Sequence, residues 1–395
     1  MEYSIKIKRL VAALFALILF VGFIKSGSFS ELSVLSSYLA NQNADSSSIE
    51  SIESDFSNNA SYKVKLIDLN GMISKTLHMK GLYSDIGIYV AENNYIVSSY
   101  HGTSTDYEYD QITSLYEFLQ QNGVNMLYVN QPVKYIDDST TLKEFGLKSL
   151  SNENADVFLE RIGNVGIPYL DLRKNIKNEK INTYDLFYRT DHHWTTQAGF
   201  WATRHIAESM NDQLGYNIDL GLYDISRYDV KEWKNCWLGE QGKKISQKYI
   251  GLDDYTEIKP TFATSYTFPT SDGKNVNGTF DSFINEGVYN LENDVYVNPS
   301  WHYSYSAKDC VNNNVEQGKV LLLGDSYAMV TEPFLSLGVN QIDFLILRNT
   351  DDDFSLREYI LENQYDTVLI CYAQFMIGAH DNPQSANYKM FSFDK

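Results

Sequence analysis

Positive charge is scarce in this sequence, and its scarcity excludes one class of function. The 395 residues include 32 lysines and arginines against 51 aspartates and glutamates, so the formal net charge at pH 7 is −19. A chain this acidic, with no basic stripe, is a poor binder of nucleic-acid phosphates, and it has no general attraction to an anionic surface. We therefore expect no nucleic-acid partner.

Cysteine is also scarce, with three residues: Cys236, Cys310 and Cys371. No C-x-x-C pair is present and no spacing is typical of metal ligands, so we predict neither a metal nor a cofactor. Cys371 lies in the apolar run TVLICYA and is expected to be a buried thiol. Cys236 and Cys310 could pair in an oxidising compartment, which their spacing alone does not decide.

The first 27 residues are typical of a signal anchor. Lys6, Lys8 and Arg9 precede residues 10–24, a run of 15 residues without a charge. The run is short for a spanning helix, but no A-x-A cleavage site follows it, which favours an uncleaved transmembrane anchor. The basic flank faces the cytoplasm, so we predict a single-pass protein of the cell membrane with an extracytoplasmic body. A cleaved signal would give a secreted protein.

Composition divides the rest of the chain into a linker and a folded body. Residues 28–61 are rich in Ser, Asn, Asp and Glu and are predicted to be a linker. Residues 62–395 form the predicted catalytic domain, with an irregular, β-rich insertion at about residues 225–305. Elsewhere short apolar runs alternate with helical spacing, which predicts an α/β fold with a mostly parallel sheet. The predicted strands are 124–130, 167–172, 319–323, 342–347 and 367–373, and the helices are 110–121, 155–162, 195–210 and 355–363.

A candidate nucleophile follows the apolar run at residues 319–323. The run leads into Gly324, Asp325 and Ser326, which places a serine at the carboxyl end of a parallel strand, where open α/β sheets bind ligands. Free backbone N–H groups after the strand can stabilise an oxyanion. The tripeptide alone would also fit a serine that caps a helix.

The TDHHW motif (residues 190–194) offers the base that such a serine needs. Asp191 and His193 are one residue apart, so in an extended backbone their side chains point the same way. Asp191 could then hold one nitrogen of His193 while the other faces Ser326, and Trp194 would wall the pocket. Two alternatives remain at this point: a metal site, or polar residues that cap the following helix.

Four further residues are candidates for substrate or oxyanion contacts. Asn130 follows one predicted strand, and Tyr372 and Gln374 stand at the end of another. Arg189 precedes the TDHHW motif and could bind substrate or form a structural ion pair. The backbone N–H of Ser326 is the oxyanion donor that the pattern itself favours.

The TDHHW motif followed by a strand and GDSY resembles the DHHW family of bacterial exported proteins. It is also similar to the AlgX/AlgJ-type polysaccharide O-acetyltransferases, in which this motif precedes the serine, the reverse of the order in ordinary SGNH hydrolases. The resemblance covers about residues 62–395. It implies an SGNH-hydrolase-like three-layer sandwich with Ser326, His193 and Asp191 as the triad. Ordinary SGNH hydrolases also supply a Gly and an Asn to the oxyanion hole, and neither can be assigned in this sequence.

The resemblance also implies a reaction. An acetyl group would pass from a membrane-bound acyltransferase partner of the MBOAT type to Ser326, and then to a hydroxyl of a polysaccharide acceptor. The residues by themselves indicate acyl-enzyme chemistry at a serine and leave open whether water or a sugar accepts the acyl group. The alternatives are a carbohydrate esterase or deacetylase with the same triad, and a non-catalytic protein that binds or assembles an envelope polymer.

Overall fold

The computed structural model describes residues 63–80, 87–91, 93–100, 104–135, 142–285, 305–378 and 386–393. The predicted anchor and linker lie outside these residues. Within the described ranges, no helix combines the length and the apolar character needed to cross a membrane. The chain divides into two compact units, one of residues 79–244 and 250–395, the other of residues 1–78 and 245–249.

The helices of the described residues are numbered in chain order. They are α1 (Lys63–Thr76), α2 (Asp106–Gln121), α3 (Ser151–Asn164), α4 (Leu172–Glu179), α5 (Thr196–Leu214), α6 (Glu240–Ile245), α7 (Gln247–Ile250), α8 (Ala328–Leu335), α9 (Leu356–Asn363) and α10 (Ala386–Met390).

The strands follow the same convention. They are β1 (Ile88–Val90), β2 (Ile96–Ser98), β3 (Asn125–Gln131), β4 (Tyr169–Asp171), β5 (Tyr228–Trp237), β6 (Asp253–Pro260), β7 (Tyr266–Pro269), β8 (Asn275–Gly278), β9 (Cys310–Asn312), β10 (Lys319–Gly324), β11 (Gln341–Leu345) and β12 (Thr367–Ala373).

An eight-stranded sheet in the order β4-β3-β12-β10-β11-β9-β7-β8 forms the centre of the larger unit. The first five strands are parallel, and β9, β7 and β8 continue the sheet in antiparallel pairs. The sheet is therefore mixed, and the predicted α/β class is confirmed. In register, Gly324 of β10 lies beside Cys371 of β12, and Leu323 lies beside Leu345 of β11.

Both faces of the parallel part are covered, as a continuous apolar strand requires. Every residue of β12 is buried. Alternate side chains enter two cores: Leu369 and Cys371 pack with residues of α4, α5 and α8, whereas Ile370 and Tyr372 pack with residues of α2, α3 and α9. Helices on both faces give the three layers of the expected sandwich.

Helix α5, which follows the TDHHW motif, has defined ends. The side chain of Thr195 accepts a hydrogen bond from the N–H of Ala198 at 3.2 Å, the N-cap interaction expected of a threonine. Gly215 ends the helix with φ 75°, a conformation that glycine adopts readily. The predicted helix and its Thr195 cap are confirmed, although the helix continues four residues beyond the predicted end.

The predicted insertion has β structure in the part that is described. β5 and β6 pair as a two-stranded antiparallel ribbon, the β5–β6 ribbon, in which Trp237 lies opposite Asp253. β7 and β8 form a hairpin, and β7 pairs with β9, so this hairpin extends the main sheet. The sequence does not indicate that extension because β7 and β8 have only four residues each.

All three cysteines are free thiols. Cys236 lies in β5, whereas Cys310 begins β9 in the main sheet. Cys371 is fully buried in β12 as predicted, and burial holds the pKa of its thiol well above the usual range.

Candidate active site

The loop before α5 is closed by backbone hydrogen bonds. Phe187 and Trp194 form an antiparallel bridge, and the N–H of Tyr188 donates to the carbonyl of His193 at 3.1 Å. This closure fixes the TDHHW motif against the carboxyl end of β10. Ser326 lies two residues after the end of that strand, before α8.

The three residues predicted as a triad are brought together. Nε2 of His193 lies 2.8 Å from Oγ of Ser326, and Nδ1 of His193 lies 2.6 Å from Oδ1 of Asp191. Both distances are within the reach expected for a nucleophile, its base and the group that orients the base. Asp191 is fully buried, His193 is 4% exposed and Ser326 is partly exposed, so the hydroxyl remains accessible.

The Asp191 carboxylate is held by donors on both oxygens. Oδ1 accepts from the N–H of His193 at 3.1 Å as well as from the ring, and Oδ2 accepts from the N–H of Glu240 at 2.7 Å. A buried carboxylate is tolerated when its oxygens are satisfied in this way. The carboxylate therefore has a fixed orientation toward the imidazole.

His192 lies beside His193 and near the same oxygen of Asp191, but its side chain is more exposed. Its Nδ1 is 3.3 Å from Oδ1 of Asp191, and its ring centroid is 3.9 Å from that of His193. Burial lowers the pKa of His192 to about 4, helped by the charges of His193, Lys134 and Arg348 against the opposing effect of Asp191. The ring is therefore neutral at neutral pH, and its contact with Asp191 is a polar contact without an ion pair.

Trp194 lies in the core. Its ring is 1% exposed, and Nε1 donates to the carbonyl of Tyr327 at 3.0 Å. The rings of Trp194 and Tyr327 stack at 5.3 Å. Trp194 therefore ties the TDHHW motif to the residue after Ser326, whereas the sequence suggested a wall of the pocket.

Asp325 forms the turn after β10. Its carboxylate accepts from the N–H of Tyr327 at 2.9 Å and from the N–H of Ala373 at 2.7 Å, which joins this turn to the end of β12. Burial raises the pKa of Asp325 against these hydrogen bonds. The residue positions Ser326 through the backbone.

Asn130 and Gln374 belong to a buried polar network. The amide of Asn130 donates to Asp171 at 3.1 Å and to Oε1 of Gln374 at 3.3 Å. The amide of Gln374 donates to Asn152 at 2.9 Å and to Ser151 at 3.0 Å. Both side chains are fully buried, so the structure places their amides in contact with protein groups.

Tyr372 and Arg189 also have protein partners. The hydroxyl of Tyr372 donates to the carbonyl of Met390 at 2.8 Å, in the core on the face of the sheet away from α5. The guanidinium of Arg189 donates to the carbonyl of Leu252 at 2.7 Å and lies 3.6 Å from Asp253. Arg189 thus makes the structural ion pair that was the alternative to a substrate contact.

Asp191, His192 and His193 could in principle hold a metal ion. Among the described residues they are the one group whose ligand atoms lie within 4.8 Å of one another. However, Nδ1 of His193 is at hydrogen-bond distance from Asp191 and its Nε2 from Ser326. The donors are thus arranged along a hydrogen-bonded chain, which is the arrangement of a catalytic triad.

A narrow cleft beside His192 is lined by residues that the sequence did not indicate. Tyr100, Lys134, Gln241 and Tyr327 contribute to its lining. The ammonium of Lys134 donates to the carbonyl of Ile96 at 2.6 Å, and burial lowers its pKa to about 7 against the charges of nearby carboxylates. Lys134 follows β3 and belongs to no sequence motif, so the sequence gives no signal that it lies near the site.

The comparisons with known proteins concern the sequence family and the fold. Residues 94–221 match the family described as the SGNH hydrolase-like domain of acetyltransferase AlgX. The chain resembles AlgX-type acetyltransferases. The match covers less than half of the chain and includes the TDHHW motif, but it ends before Gly324. Together with the DHHW likeness below, it confirms the resemblance that TDHHW and GDS indicate.

Solved structures show the fold. The structure of Bacillus cereus PatB1 with a sulfonyl adduct has a TM-score of 0.60 and 20% identity, and the alignment covers 78% of this chain and 98% of that one. A DHHW family protein from Eubacterium siraeum has a TM-score of 0.53 and 15% identity over 75% of this chain and 91% of the other. No functionally curated protein matches the sequence significantly.

Proposed function

We propose that this chain is an O-acetyltransferase that acts on a cell-surface or secreted polysaccharide through an acetyl-serine at Ser326. The observation that carries the proposal is the continuous hydrogen-bonded chain from Ser326 through His193 to Asp191, at 2.8 and 2.6 Å. The AlgX-type match over residues 94–221 supports acetyl as the acyl group.

In the first half-reaction, Oγ of Ser326 attacks the acetyl carbonyl of the donor while Nε2 of His193 takes the hydroxyl proton. Asp191 holds the other ring nitrogen and stabilises the imidazolium. The backbone N–H of Ser326 is our proposed donor to the oxyanion. His193 then protonates the leaving group, and the acetyl group remains on Ser326 as an ester.

In the second half-reaction, a sugar hydroxyl attacks the acetyl-serine. His193 now removes the proton of that hydroxyl and returns a proton to Oγ of Ser326 as the ester breaks. The products are an acetylated sugar and the free enzyme. Because the donor's leaving group departs before the sugar reacts, the kinetics should be ping-pong.

We also propose a location and two partners for this chain. The uncharged run at residues 10–24 would anchor the chain in the cell membrane with its body outside the cytoplasm. An acyltransferase of the MBOAT type would deliver the acetyl group, as the family resemblance implies. The polysaccharide acceptor would then be met on the outer side of the membrane.

Hydrolysis of a nitrophenyl acetate tests the nucleophile. Ser326→Ala should lower kcat by about 10³-fold or more, the scale seen when a triad member is removed. Ser226→Ala is a matched control, because Ser226 lies in an exposed turn and has no role in the site. Full activity in Ser326→Ala would refute the proposal.

Addition of an oligosaccharide to the same assay separates transfer from hydrolysis. An acetylated oligosaccharide would support the transferase, whereas acetate alone would indicate a carbohydrate esterase with the same triad. A non-catalytic polymer-binding protein would retain its function in both Ser326→Ala and His193→Ala.

A further inference from the structure

We propose that the end of the β5–β6 ribbon orients the catalytic acid, and that Thr190, Gly239 and Asp253 are positioning residues for Asp191. This inference rests on the proposed serine chemistry. It assigns a task in the reaction to residues about 50 to 60 positions downstream of the TDHHW motif, in the segment that the sequence presents only as an irregular insertion.

Asp253, the first residue of β6, holds the backbone that leads into Asp191. Its Oδ1 accepts from the N–H of Arg189 at 3.0 Å, and its Oδ2 accepts from the N–H of Thr190 at 2.8 Å. Asp253 is 7% exposed, and burial raises its pKa against these hydrogen bonds. A buried carboxylate bound to two successive amides fixes the two peptide planes that precede Thr190, the residue before Asp191.

The hydroxyl of Thr190 connects Asp253, at the start of β6, with Gly239, two residues after the end of β5. It donates to Oδ2 of Asp253 at 2.5 Å and accepts from the N–H of Gly239 at 2.7 Å. One hydroxyl can fill one donor and one acceptor role at once, and both are used here. The carbonyl of Thr190 also accepts from the N–H of Gly242 at 2.8 Å, so this residue is held at its amide, carbonyl and side chain.

Gly239 and Glu240 complete the arrangement at Asp191 itself. The N–H of Glu240 donates to Oδ2 of Asp191 at 2.7 Å, on the side of the carboxylate away from His193. The backbone approaches so closely that a Cβ on Gly239 would lie 2.4 Å from Cβ of Asp191 and 2.6 Å from the carbonyl oxygen of Thr190. Only glycine fits this approach, and it allows the neighbouring N–H to reach the carboxylate.

The consequence is a carboxylate that cannot rotate away from the imidazole. Oδ2 is bound by the N–H of Glu240 at the start of α6, and Oδ1 therefore faces the ring of His193. Loss of orientation in a group that holds a catalytic side chain lowers activity without removing any reacting atom. The measured effect should therefore appear in kcat and leave KM nearly unchanged.

The test compares Thr190→Val with Thr190→Ser in the full chain. Valine matches threonine in shape and removes the hydroxyl, whereas serine keeps it. We expect kcat for nitrophenyl acetate to fall about 10- to 100-fold in Thr190→Val, the scale for residues that orient a functional side chain. Thr190→Ser should recover most of that loss.

Thr256→Val is the matched control. Thr256 lies on the same ribbon and is also buried, but its hydroxyl accepts from Gln197 of α5 at 2.6 Å and does not contact the TDHHW motif. Thr256→Val should lower the stability of the protein as Thr190→Val does, but its kcat should equal that of the wild type. Equal losses of kcat in both valine variants would overturn the inference.

A proton NMR spectrum supplies a readout independent of turnover. The proton between His193 and Asp191 should give a low-field resonance in the wild type that shifts or broadens in Thr190→Val and is restored in Thr190→Ser. An unchanged resonance with unchanged kcat in Thr190→Val would refute the positioning role. If the wild type hydrolysed no ester, the proposed chemistry would fail while the resonance would still test the geometry.

Gly239→Ala gives a second route to the same result. Its added methyl group must displace Asp191 or the ribbon, so kcat should fall at least as far as in Thr190→Val while the folded chain persists. Wild-type kcat in a folded Gly239→Ala protein would contradict the inference.

Discussion

Two adjacent histidines lie side by side in the site, with ring centroids 3.9 Å apart, and both are near Oδ1 of Asp191. Both ring nitrogens of His193 are engaged, one by Asp191 and one by Ser326. His192 is partly exposed at the edge of the cleft, and its carbonyl accepts from the hydroxyl of Tyr327 at 2.6 Å. The spacing of Asp191 and His193 predicted the hydrogen-bonded pair. In the structure His193, and not His192, also reaches Ser326.

Asp191→Asn tests the orienting carboxylate. An amide would favour the wrong tautomer of His193, so we expect kcat for nitrophenyl acetate to fall by about 10⁴-fold, the scale known for this substitution in a serine triad. The melting temperature should fall as well, because the NH2 group of the buried asparagine faces an N–H donor where Asp191 has an accepting oxygen. A kcat near that of the wild type would show that Asp191 has no part in the reaction.

His192→Gln tests the lowered pKa of the second histidine. With its pKa at about 4 in the folded state and an ordinary value of 6.5, His192 stays neutral while the unfolded chain takes up a proton. Its contribution to stability is thus present above pH 6.5 and is lost as the pH falls from 6.5 to 4. Urea unfolding across this window should show the wild type losing stability relative to His192→Gln, and parallel curves would contradict the assignment.

The sequence predicts the candidate triad but not the residues that support it. Asp191, His193 and Ser326 are residue types that acyl-transfer chemistry uses, and they stand in recognisable motifs, whereas Gly239, Glu240 and Asp253 act through backbone groups or one buried carboxylate. Backbone contacts leave no signal in composition. The sequence therefore indicates no link between the insertion and the site.

At the level of elements, long apolar strands were predicted and short ones were not. The run at residues 367–373 coincides with β12, and residues 319–323 fall within β10. β9 has three residues, and α8 contains Pro333 within a single short helix, so neither has enough periodicity to be recognised. Their identity depends on tertiary packing against the sheet.

The pairing of α5 with α8 supports Ser326 and is tightly packed. A Cβ on Gly199 of α5 would lie 2.5 Å from Cγ1 of Val330 in α8. Gly199→Ala should therefore cost about 1–3 kcal/mol of unfolding free energy, as overpacking does. Urea unfolding measures the change.

Val330→Ala in the same chain should recover part of this loss, because it removes the methyl group that collides. The double variant would then be more stable than the sum of the two single changes, by about 0.5–3 kcal/mol for residues in contact. Simple additivity of the two changes would contradict the packing described.

Tyr372→Phe distinguishes a structural tyrosine from a substrate contact. The change removes the hydrogen bond to Met390 and leaves a buried carbonyl without that donor, so we expect a loss of about 1–3 kcal/mol in unfolding free energy. Turnover of nitrophenyl acetate should be unchanged. A fall in kcat with unchanged stability would instead place Tyr372 in the reaction.

At the scale of the whole molecule, the chain is strongly acidic, whereas the proposed reaction transfers an uncharged acetyl group. The net charge of −19 argues against nucleic-acid binding but says nothing of sugars or acetyl groups, so the proposed function depends on the site and the family resemblance. The motif order, with TDHHW before GDS, predicted the family likeness from sequence. The choice of the proposed polysaccharide acceptor would depend on surfaces that no short motif specifies.

The most direct test of the account is mass spectrometry of the protein after brief reaction with an acetyl donor. Peptide mapping should find one added acetyl group on the peptide that contains Ser326. The modification should be absent from Ser326→Ala and should be lost from the wild type when an oligosaccharide acceptor is added. Turnover of the donor by the wild type with no acetyl group on Ser326 at any time, and equal turnover by Ser326→Ala, would contradict the account.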